Sequence, residues 1–364
     1  VEWLSISHDW PRNKLLVLFE ERSAQVVGLA TFKLSRAYID LSLGPLKIFR
    51  WPVMQYQVHE GPVVVGDSQD SAVADCFEKL ARCMPRGSVV FAGDVPTAAE
   101  FHRQLADKTS RVRQNFHVMP WGEEAPHCGI RWEGSVEKYL VSLGKRSRKD
   151  LRRCREALLS DRTISCEVRC FERGQDVDAF LRDGILISDK TYQKNDLGLG
   201  LSWGGPVERA IRLAAERSCF LGYILYIDQK PAAFRYAFIA AKTCTMKQVG
   251  FDPAFASRQA GAVLLLETLY DFERRRIPVT YIDLLPYNTE FKLRVSNDKR
   301  PSRNYYLFKR DLVGRLQYMV NVATDGAARR VKHLIGHVAL RGTRAGRVQH
   351  QADNNEQEQG RGKS

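Results

Sequence analysis

The sequence lacks several features that mark specialised protein classes. No apolar run reaches the roughly 18 residues of a transmembrane helix, so we expect no membrane span. The eight cysteines form no Cys-x-x-Cys pair and share no repeated spacing with the histidines. This argues against a metal site and favours reduced thiols in a cytoplasmic protein. The histidines fall in no motif, and no Ser-His-Asp order is indicated.

Both ends of the chain also lack recognisable signals. The N-terminal end has neither a signal-peptide n-region nor an h-region. Because Trp3-Leu4 and Trp10-Pro11 already have the character of a folded segment, we expect that the chain was trimmed before Val1. An amphipathic helix is predicted over 313–340, and the polar tail 341–364 is predicted to be disordered.

The overall composition is that of a folded and basic protein. The 364 residues are enough for two ordinary domains, and 44% hydrophobic residues are enough for a buried core. Fifty-six Lys and Arg against 42 Asp and Glu give a net charge of +14. That excess favours polyanionic partners such as CoA, nucleotide sugars, tRNA or an anionic membrane surface, without choosing among them.

The first 122 residues alternate between strand-like and helix-like segments. Two apolar runs between Lys14 and Phe32 predict a hairpin, and 71–83 has helical spacing. This alternation predicts an α/β domain, in which we find no catalytic constellation. A break in the pattern is predicted over 120–129, where Pro, Gly and charged residues cluster.

A very basic helix is predicted over 145–159. Seven of the eleven residues from Lys145 to Arg155 are basic, and Arg148, Arg152 and Arg155 share one face. This face is typical either of a solvated helix surface or of a wall that binds phosphates. RNA binding ranks lower, since no aromatic residues alternate with the basic ones to stack on bases.

Three apolar runs, 219–227, 231–240 and 243–250, predict a meander that leads into a loop and a long amphipathic helix. Asp252-Pro253 and Ser257 are turn and cap residues in that loop. Ala260, Gly261 and Ala262 place no bulk over the first-turn N–H groups, so a phosphate fits there. The alternative is that Ser257 only caps a core helix whose small residues allow close packing.

These segments resemble a known family. The run Arg258-Gln259-Ala260-Gly261-Ala262 resembles the pyrophosphate loop of the GNAT acyl-CoA N-acyltransferases, although Val263 departs from the pattern. The flanking segments 249–253, 281–285 and 287–292 resemble the BioF2-like, or CelD-like, branch, which is related to the FemAB aminoacyltransferases. The resemblance implies an α/β fold with a GNAT-like mixed sheet flanked by helices, and two tandem GNAT-like lobes. We therefore expect a degenerate lobe over 1–122 and an acyltransferase domain over 130–312.

The resemblance also implies roles for individual residues. The strand around Val249 would grip the donor through its backbone, and residues Arg258, Gln259, Ala260, Gly261 and Ala262 would hold pyrophosphate. The expected proton-handling residues are Asp283, Tyr281 and Tyr287, with Lys292 holding an anionic acceptor or transition-state charge. The expected acceptor contacts are Arg148, Arg152, Tyr192, Lys194 and Trp203. Asp283 as a turn cap, Lys292 as a surface lysine and the aromatics as lids on the core remain alternatives.

The sequence therefore predicts an N-acyltransferase with acyl-CoA as co-substrate and no metal. The acceptor would be an amine of a sugar, an amino acid or an envelope or polysaccharide intermediate, with possible contact to an anionic inner membrane or the polysaccharide machinery. One alternative is a FemAB-like enzyme that uses aminoacyl-tRNA, the only case in which we expect a nucleic acid partner. The other is a non-catalytic scaffold in polysaccharide biosynthesis, which the departure at Val263 favours.

Overall fold

The computed structural model describes residues 14–22, 25–43, 46–64, 69–195, 198, 200–286 and 289–324. The chain divides into two compact units, a first unit of Val1–Glu123 with Arg303–Ser364 and a second unit of Glu124–Ser302. The proposed trimmed start, the predicted tail and most of the predicted C-terminal helix lie outside the described residues. A helix is described over 312–324.

The described strands and helices follow the predicted alternation. The strands are β1 Lys14–Arg22, β2 Gln25–Leu43, β3 Leu46–His59, β4 Val63–Val64, β5 Val89–Pro96, β6 Phe116–Arg131, β7 Cys166–Phe171, β8 Phe220–Ile227, β9 Lys230–Ala240, β10 Thr243–Phe251, β11 Tyr281–Asp283 and β12 Asp298–Lys309. The helices are α1 Gln69–Cys83, α2 Glu100–Ala106, α3 Arg111–Asn115, α4 Val136–Ser142, α5 Lys145–Leu159, α6 Val177–Ser188, α7 Tyr192–Asn195, α8 Pro206–Glu216, α9 Ala260–Arg275 and α10 Glu290–Val295.

The first unit is built on the strand order β1-β2-β3-β5-β12. The predicted hairpin is present, since β1 and β2 pair antiparallel, whereas β3 and β5 pair parallel. Helix α1 buries Phe77, which stacks on Phe101 of α2 at 4.7 Å between ring centroids. The first unit thus has its own aromatic core.

The second unit has the strand order β6-β11-β10-β9-β8-β7. The predicted meander is confirmed: β8, β9 and β10 pair antiparallel in sequence, and β11 then joins β10 in parallel. Alternate residues of the meander face two separate cores. On one face Phe234 packs with α6, and on the other Ala233 and Ala237 pack in the cluster that contains α9. The apolar stripe of α9 is wholly buried there, which fixes where its N-terminus begins.

Some sequence expectations differ from the structure. The division between the two units, at Glu123 and Glu124, falls within the predicted break over 120–129, but the backbone there is not a loop: β6 continues as a strand from Phe116 to Arg131, because pairing within a sheet overrides weak local propensity. The segment 281–285, which resembles the family, contains only the three-residue strand β11. All eight cysteines are free, as expected. None of the described helices is long and apolar enough to cross a membrane.

Candidate functional site

The loop between β10 and α9 is held by one buried carboxylate. Asp252 accepts from the Ala254 N–H at 3.0 Å and from Lys190 Nζ at 2.6 Å. Burial raises the pKa of Asp252, but these two hydrogen bonds outweigh it, so the pKa is lowered overall. Residues Pro253–Arg258 then form a 3-10 turn. The prediction that Ser257 caps the long helix is wrong, because Ser257 lies within this turn and the cap position is Gln259.

Gln259 turns the chain into α9 with left-handed backbone angles, φ 53° and ψ 36°. Its carbonyl accepts from the N–H groups of Ala262 and Val263. The N–H groups of Ala260 and Gly261 are therefore the first-turn donors for which the described residues provide no backbone acceptor. A Cβ built on Gly261 would meet only Phe251, at 3.7 Å, so the space over these donors is open.

A cavity of about 550 Å³ lies beside this helix start, within the second unit. Its lining residues are Asp150, Arg153, Cys154, Ala157, Leu158, Ser257, Arg258, Gln259 and Arg294. Three arginines against one aspartate make it electropositive. Arg258 is tied to Asp161 at 2.6 Å, whereas the buried Nε of Arg294 has no acceptor among the described residues. Phosphate oxygens accept hydrogen bonds from such N–H donors.

The predicted basic face of α5 does not line this cavity. Arg152 donates to Glu137, and Arg155 donates to Glu267 at 2.5 Å while its guanidinium lies 4.3 Å from the Tyr270 ring centroid. Arg148 is half-buried and is not among the lining residues. The α5 arginine at the cavity is Arg153, one residue along from the predicted face. A binding role for Arg148 and Arg152 stays a prediction.

The edge of β10 opens next to this loop. β11 pairs with β10 only from Thr243 to Thr245, and a bulge at Lys247 shifts the register with β9. Beyond Met246, the edge of β10 away from β9 has no strand partner within the described chain. Val249 is half-buried on this open stretch and pairs with Arg235 of β9. Its backbone thus lies at an open strand edge, and the role predicted for it in binding the donor stays a prediction.

Asp283, at the end of β11, forms a buried hydrogen bond with His127 that the sequence did not suggest. Its Oδ1 accepts from His127 Nε2 at 2.7 Å and from the Leu285 N–H at 2.7 Å. The side chains of His127 and Asp283 are only 8% and 13% exposed. Burial raises the pKa of Asp283, but the bonds from His127 and Leu285 outweigh it and lower the pKa overall. Asp283 is therefore an ionised carboxylate, and it both caps the turn and orients His127.

Tyr281 lies two residues before Asp283 with its ring over Gly129. A Cβ at Gly129 would come within 2.0 Å of the Tyr281 hydroxyl oxygen, so glycine is required for this approach. The Arg300 guanidinium stacks on the ring at 4.3 Å. Burial raises the pKa of Tyr281 well above its ordinary value, so the phenol stays protonated. As a proton-handling group it is a donor, not a base.

The remaining candidates are held by local contacts. Lys292 Nζ donates to the carbonyls of Leu285 and Pro286, at 3.0 and 2.8 Å, and so ties α10 to the turn after β11. Lys194 contacts Asp189 and donates to the Leu201 carbonyl at 2.8 Å. Trp203 is 53% exposed. The side chain of Tyr192 and all of Tyr287 lie outside the described residues.

Sequence reasoning missed three residues of this region: Arg153, Arg294 and His127. His127 is 156 positions from Asp283, and no local spacing links them. The phase of Arg153 relative to the cavity depends on where the 3-10 turn packs on α5. Only the density of basic residues in α5 signalled that one of them would line such a cavity.

Comparison with known proteins now places this architecture. Residues 145–293 match the family model described as the acetyltransferase (GNAT) domain. The structure of FemX superposes with a TM-score of 0.56 at 10% sequence identity, covering 85% of this chain and 91% of that one. The chain has a GNAT/FemAB-like fold. The α/β class with a mixed sheet flanked by helices is confirmed.

Two further structures are similar at lower scores. L-PGS from Bacillus licheniformis has a TM-score of 0.48 at 13% identity, over 86% of this chain and 88% of that one. A tandem GNAT protein from the clavulanic acid biosynthesis pathway has a TM-score of 0.41 at 10% identity, over 82% of this chain and 84% of that one. No curated protein matches the sequence. That the first unit is a degenerate GNAT-like lobe stays a prediction.

Proposed function

We propose that the chain is an N-acyltransferase that takes its acyl group from acyl-CoA. The observation that carries this proposal is the start of α9, where the Ala260 and Gly261 N–H groups lie beside the cavity lined by Arg153, Arg258 and Arg294. Helix N-termini bind phosphates through such N–H groups and through the helix dipole. A diphosphate at the helix start and a further phosphate in the cavity would use both sets of donors.

The same arrangement suggests how the reactive end of the donor is placed. From a diphosphate at Gly261, an extended chain would run along the open edge of β10 past Val249 toward Asp283 and Tyr281. Amide formation needs a base for the amine and a donor for the leaving thiolate. The imidazole of His127, oriented by the Asp283 carboxylate, fits the first need in its neutral form, and the protonated Tyr281 fits the second.

Calorimetric titration with CoA, acetyl-CoA and a long-chain acyl-CoA tests the proposal without the unknown acceptor. We expect saturable 1:1 binding of CoA itself, since the phosphates supply the proposed contacts, and a preference among thioesters that reflects the acyl site. A folded sample that binds none of the three would overturn the acyl-CoA proposal.

A second candidate is a FemAB-like transferase that takes its acyl group from aminoacyl-tRNA. The observation in its favour is the overall similarity to FemX, together with the seven basic residues between Lys145 and Arg155. Tight, salt-dependent binding of tRNA and loss of activity on RNase treatment would support it. Activity that survives RNase and depends on added acyl-CoA would exclude it.

The finer assignments are also proposals. The motif resemblance supports the BioF2-like, or CelD-like, branch and an acceptor amine on a sugar, amino acid or envelope or polysaccharide intermediate. The net charge of +14 supports a peripheral position at an anionic inner membrane. The scaffold alternative predicts no binding of acyl-CoA at Gly261, so the same titration discriminates against it.

A further inference from the structure

Arg235 is a guanidinium buried in the middle of the second unit. It lies on β9 and is 3% exposed. Its strand neighbours Ala233 and Ala237 both belong to the core cluster on the α9 face. Because side chains alternate along a strand, Arg235 lies on that face too. A charged residue at this depth in a cluster of apolar side chains is rare unless it is paired.

No partner for this charge is found in the part of the chain that the structure describes. The buried Nε has no hydrogen-bond acceptor. The titratable groups that interact with it are the Cys244 thiol and the Tyr139 phenol. Burial raises the pKa of both, to about 12 for Cys244, so both are neutral at pH 7. Burial lowers the pKa of Arg235 only to about 10, so the guanidinium remains charged.

An isolated buried charge costs several kcal/mol, and proteins keep one when something compensates it. No carboxylate of the described chain supplies this compensation. The register shows a route: Arg235 pairs with Val249, which is half-buried on the stretch of β10 that has no strand partner on its other side. The guanidinium is thus one strand inward from the open edge along which the proposed donor lies.

We propose that Arg235 binds a carboxylate group of the ligand. This inference rests on the proposed transferase function for the identity of the ligand and on the geometry of β9 for the site. The phosphates of the donor are already matched by the start of α9 and its cavity. An enclosed guanidinium with a free Nε fits a small planar group, and its fork of N–H groups binds a carboxylate through two parallel hydrogen bonds.

The carboxylate has two possible sources. It is either the far end of an acyl chain, as in a dicarboxylic acyl-CoA, or the α-carboxylate of an amino-acid acceptor. The first arm of the test compares succinyl-CoA with butyryl-CoA, which has the same chain length and no terminal charge. The second arm compares glycine with glycinamide as ligands of the CoA-loaded protein. We expect the carboxylate form in one arm to bind about tenfold tighter or more, as for hydrogen bonds to a charged group.

Arg235→Met should abolish this discrimination, and Arg217→Met, which removes an exposed arginine of the same unit, should leave it unchanged. Arg235→Met should also melt at a higher temperature than the unliganded wild type, because it removes an unpaired buried charge. If Arg235 has only a structural role, Arg235→Met should melt at a lower temperature than the wild type. If Arg235→Met does not fold, Arg235→Lys replaces it, since lysine keeps the charge without the fork of N–H groups. The comparison of carboxylate and uncharged ligands on the wild type also tests the proposal without any variant.

A probe without CoA separates this inference from the proposed function. Sodium succinate should raise the melting temperature of the wild type, relative to sodium chloride at equal ionic strength, more than that of Arg235→Met. If succinate has this effect and no CoA ester binds, the carboxylate site stands and the acyl-CoA proposal fails. If CoA esters bind with no discrimination in either arm and succinate has no Arg235-dependent effect, the carboxylate site is wrong and the proposed function stands.

Discussion

Replacing Gly261 tests whether the start of α9 is a phosphate site. A Cβ at this position meets only Phe251, at 3.7 Å, so Gly261→Glu introduces no clash. Its carboxylate would lie in the first turn of α9, where the helix dipole favours an anion by about 0.3–1 kcal/mol. Removing a helical glycine contributes up to about 1 kcal/mol more. We therefore expect the variant to be as stable as the wild type or slightly more stable.

The same carboxylate should strongly oppose a bound diphosphate. At about 5 Å and an effective dielectric constant near 20, two like unit charges repel by about 3 kcal/mol. This raises the Kd of CoA by about two orders of magnitude. A gain in stability together with a loss of affinity is the result that a ligand anion at the helix start predicts.

The assay is calorimetric titration with CoA, combined with melting curves, for Gly261→Glu, Gly261→Gln and Gly261→Ala. Gln has nearly the bulk of Glu without its charge, so the difference between these two variants isolates the electrostatic part. That difference should shrink as salt is raised. Unchanged CoA affinity in folded Gly261→Glu would refute the site, and equal losses for Glu and Gln would refute the electrostatic argument.

Three further outcomes are expected. Arg153→Ala should weaken CoA binding in titrations at low salt more than Arg152→Ala does, because Arg153 lines the cavity and Arg152 is paired elsewhere. If Arg152→Ala weakens binding more, the binding face of α5 is the one predicted from the sequence. The lowered pKa of Asp283 means that its ionised form stabilises the fold above the unfolded pKa and that this contribution is lost as pH falls through the folded pKa. Acid unfolding of Asp283→Asn should therefore be less steep than that of the wild type, and an identical dependence on pH in the acid range would contradict the stabilising role of the ionised Asp283. Gly129→Ala must displace the ring of Tyr281 and should destabilise the protein by about 1–3 kcal/mol in denaturant melts. Tyr281→Phe should instead keep the stability of the wild type and lose turnover. A Tyr281→Phe variant with full turnover would remove the phenol from the mechanism.

The sequence predicted those parts of the structure that depend on local pattern. The meander from β8 to β10 follows from three apolar runs and two short turns, and α9 follows from its apolar periodicity. The turn between the first two runs lies at Asp228-Gln229, where both residues have positive φ. The helix start was placed two residues early, since the left-handed backbone of Gln259 has no side-chain signal.

The sequence did not predict contacts that join distant segments. His127 contacts Asp283 because β6 and β11 pair antiparallel, and the sequence of neither strand indicates which strand lies beside it. Arg153 meets the cavity because the 3-10 turn packs against α5. Lys292 was predicted to face a ligand, and it ties down two carbonyls of a turn whose backbone conformation could not be known in advance. Local periodicity specifies which face of an element is buried, but not what covers it.

The bulge at Lys247 is not needed for the pairing of β10 with β9, but it lies where the open edge of β10 begins. On either side of it, β10 keeps the same alternation with β9: Met246 lies opposite Ala237, and Gln248 lies opposite Tyr236. Lys247 is therefore a surplus residue, and its deletion would leave a regular ladder with every pair intact. Such a deletion would keep the strand but remove the bend that a bulge introduces, at the point where β11 ends and the open edge begins. The bulge therefore leaves the pairing with β9 complete while it sets the direction of the edge along which the proposed ligand lies.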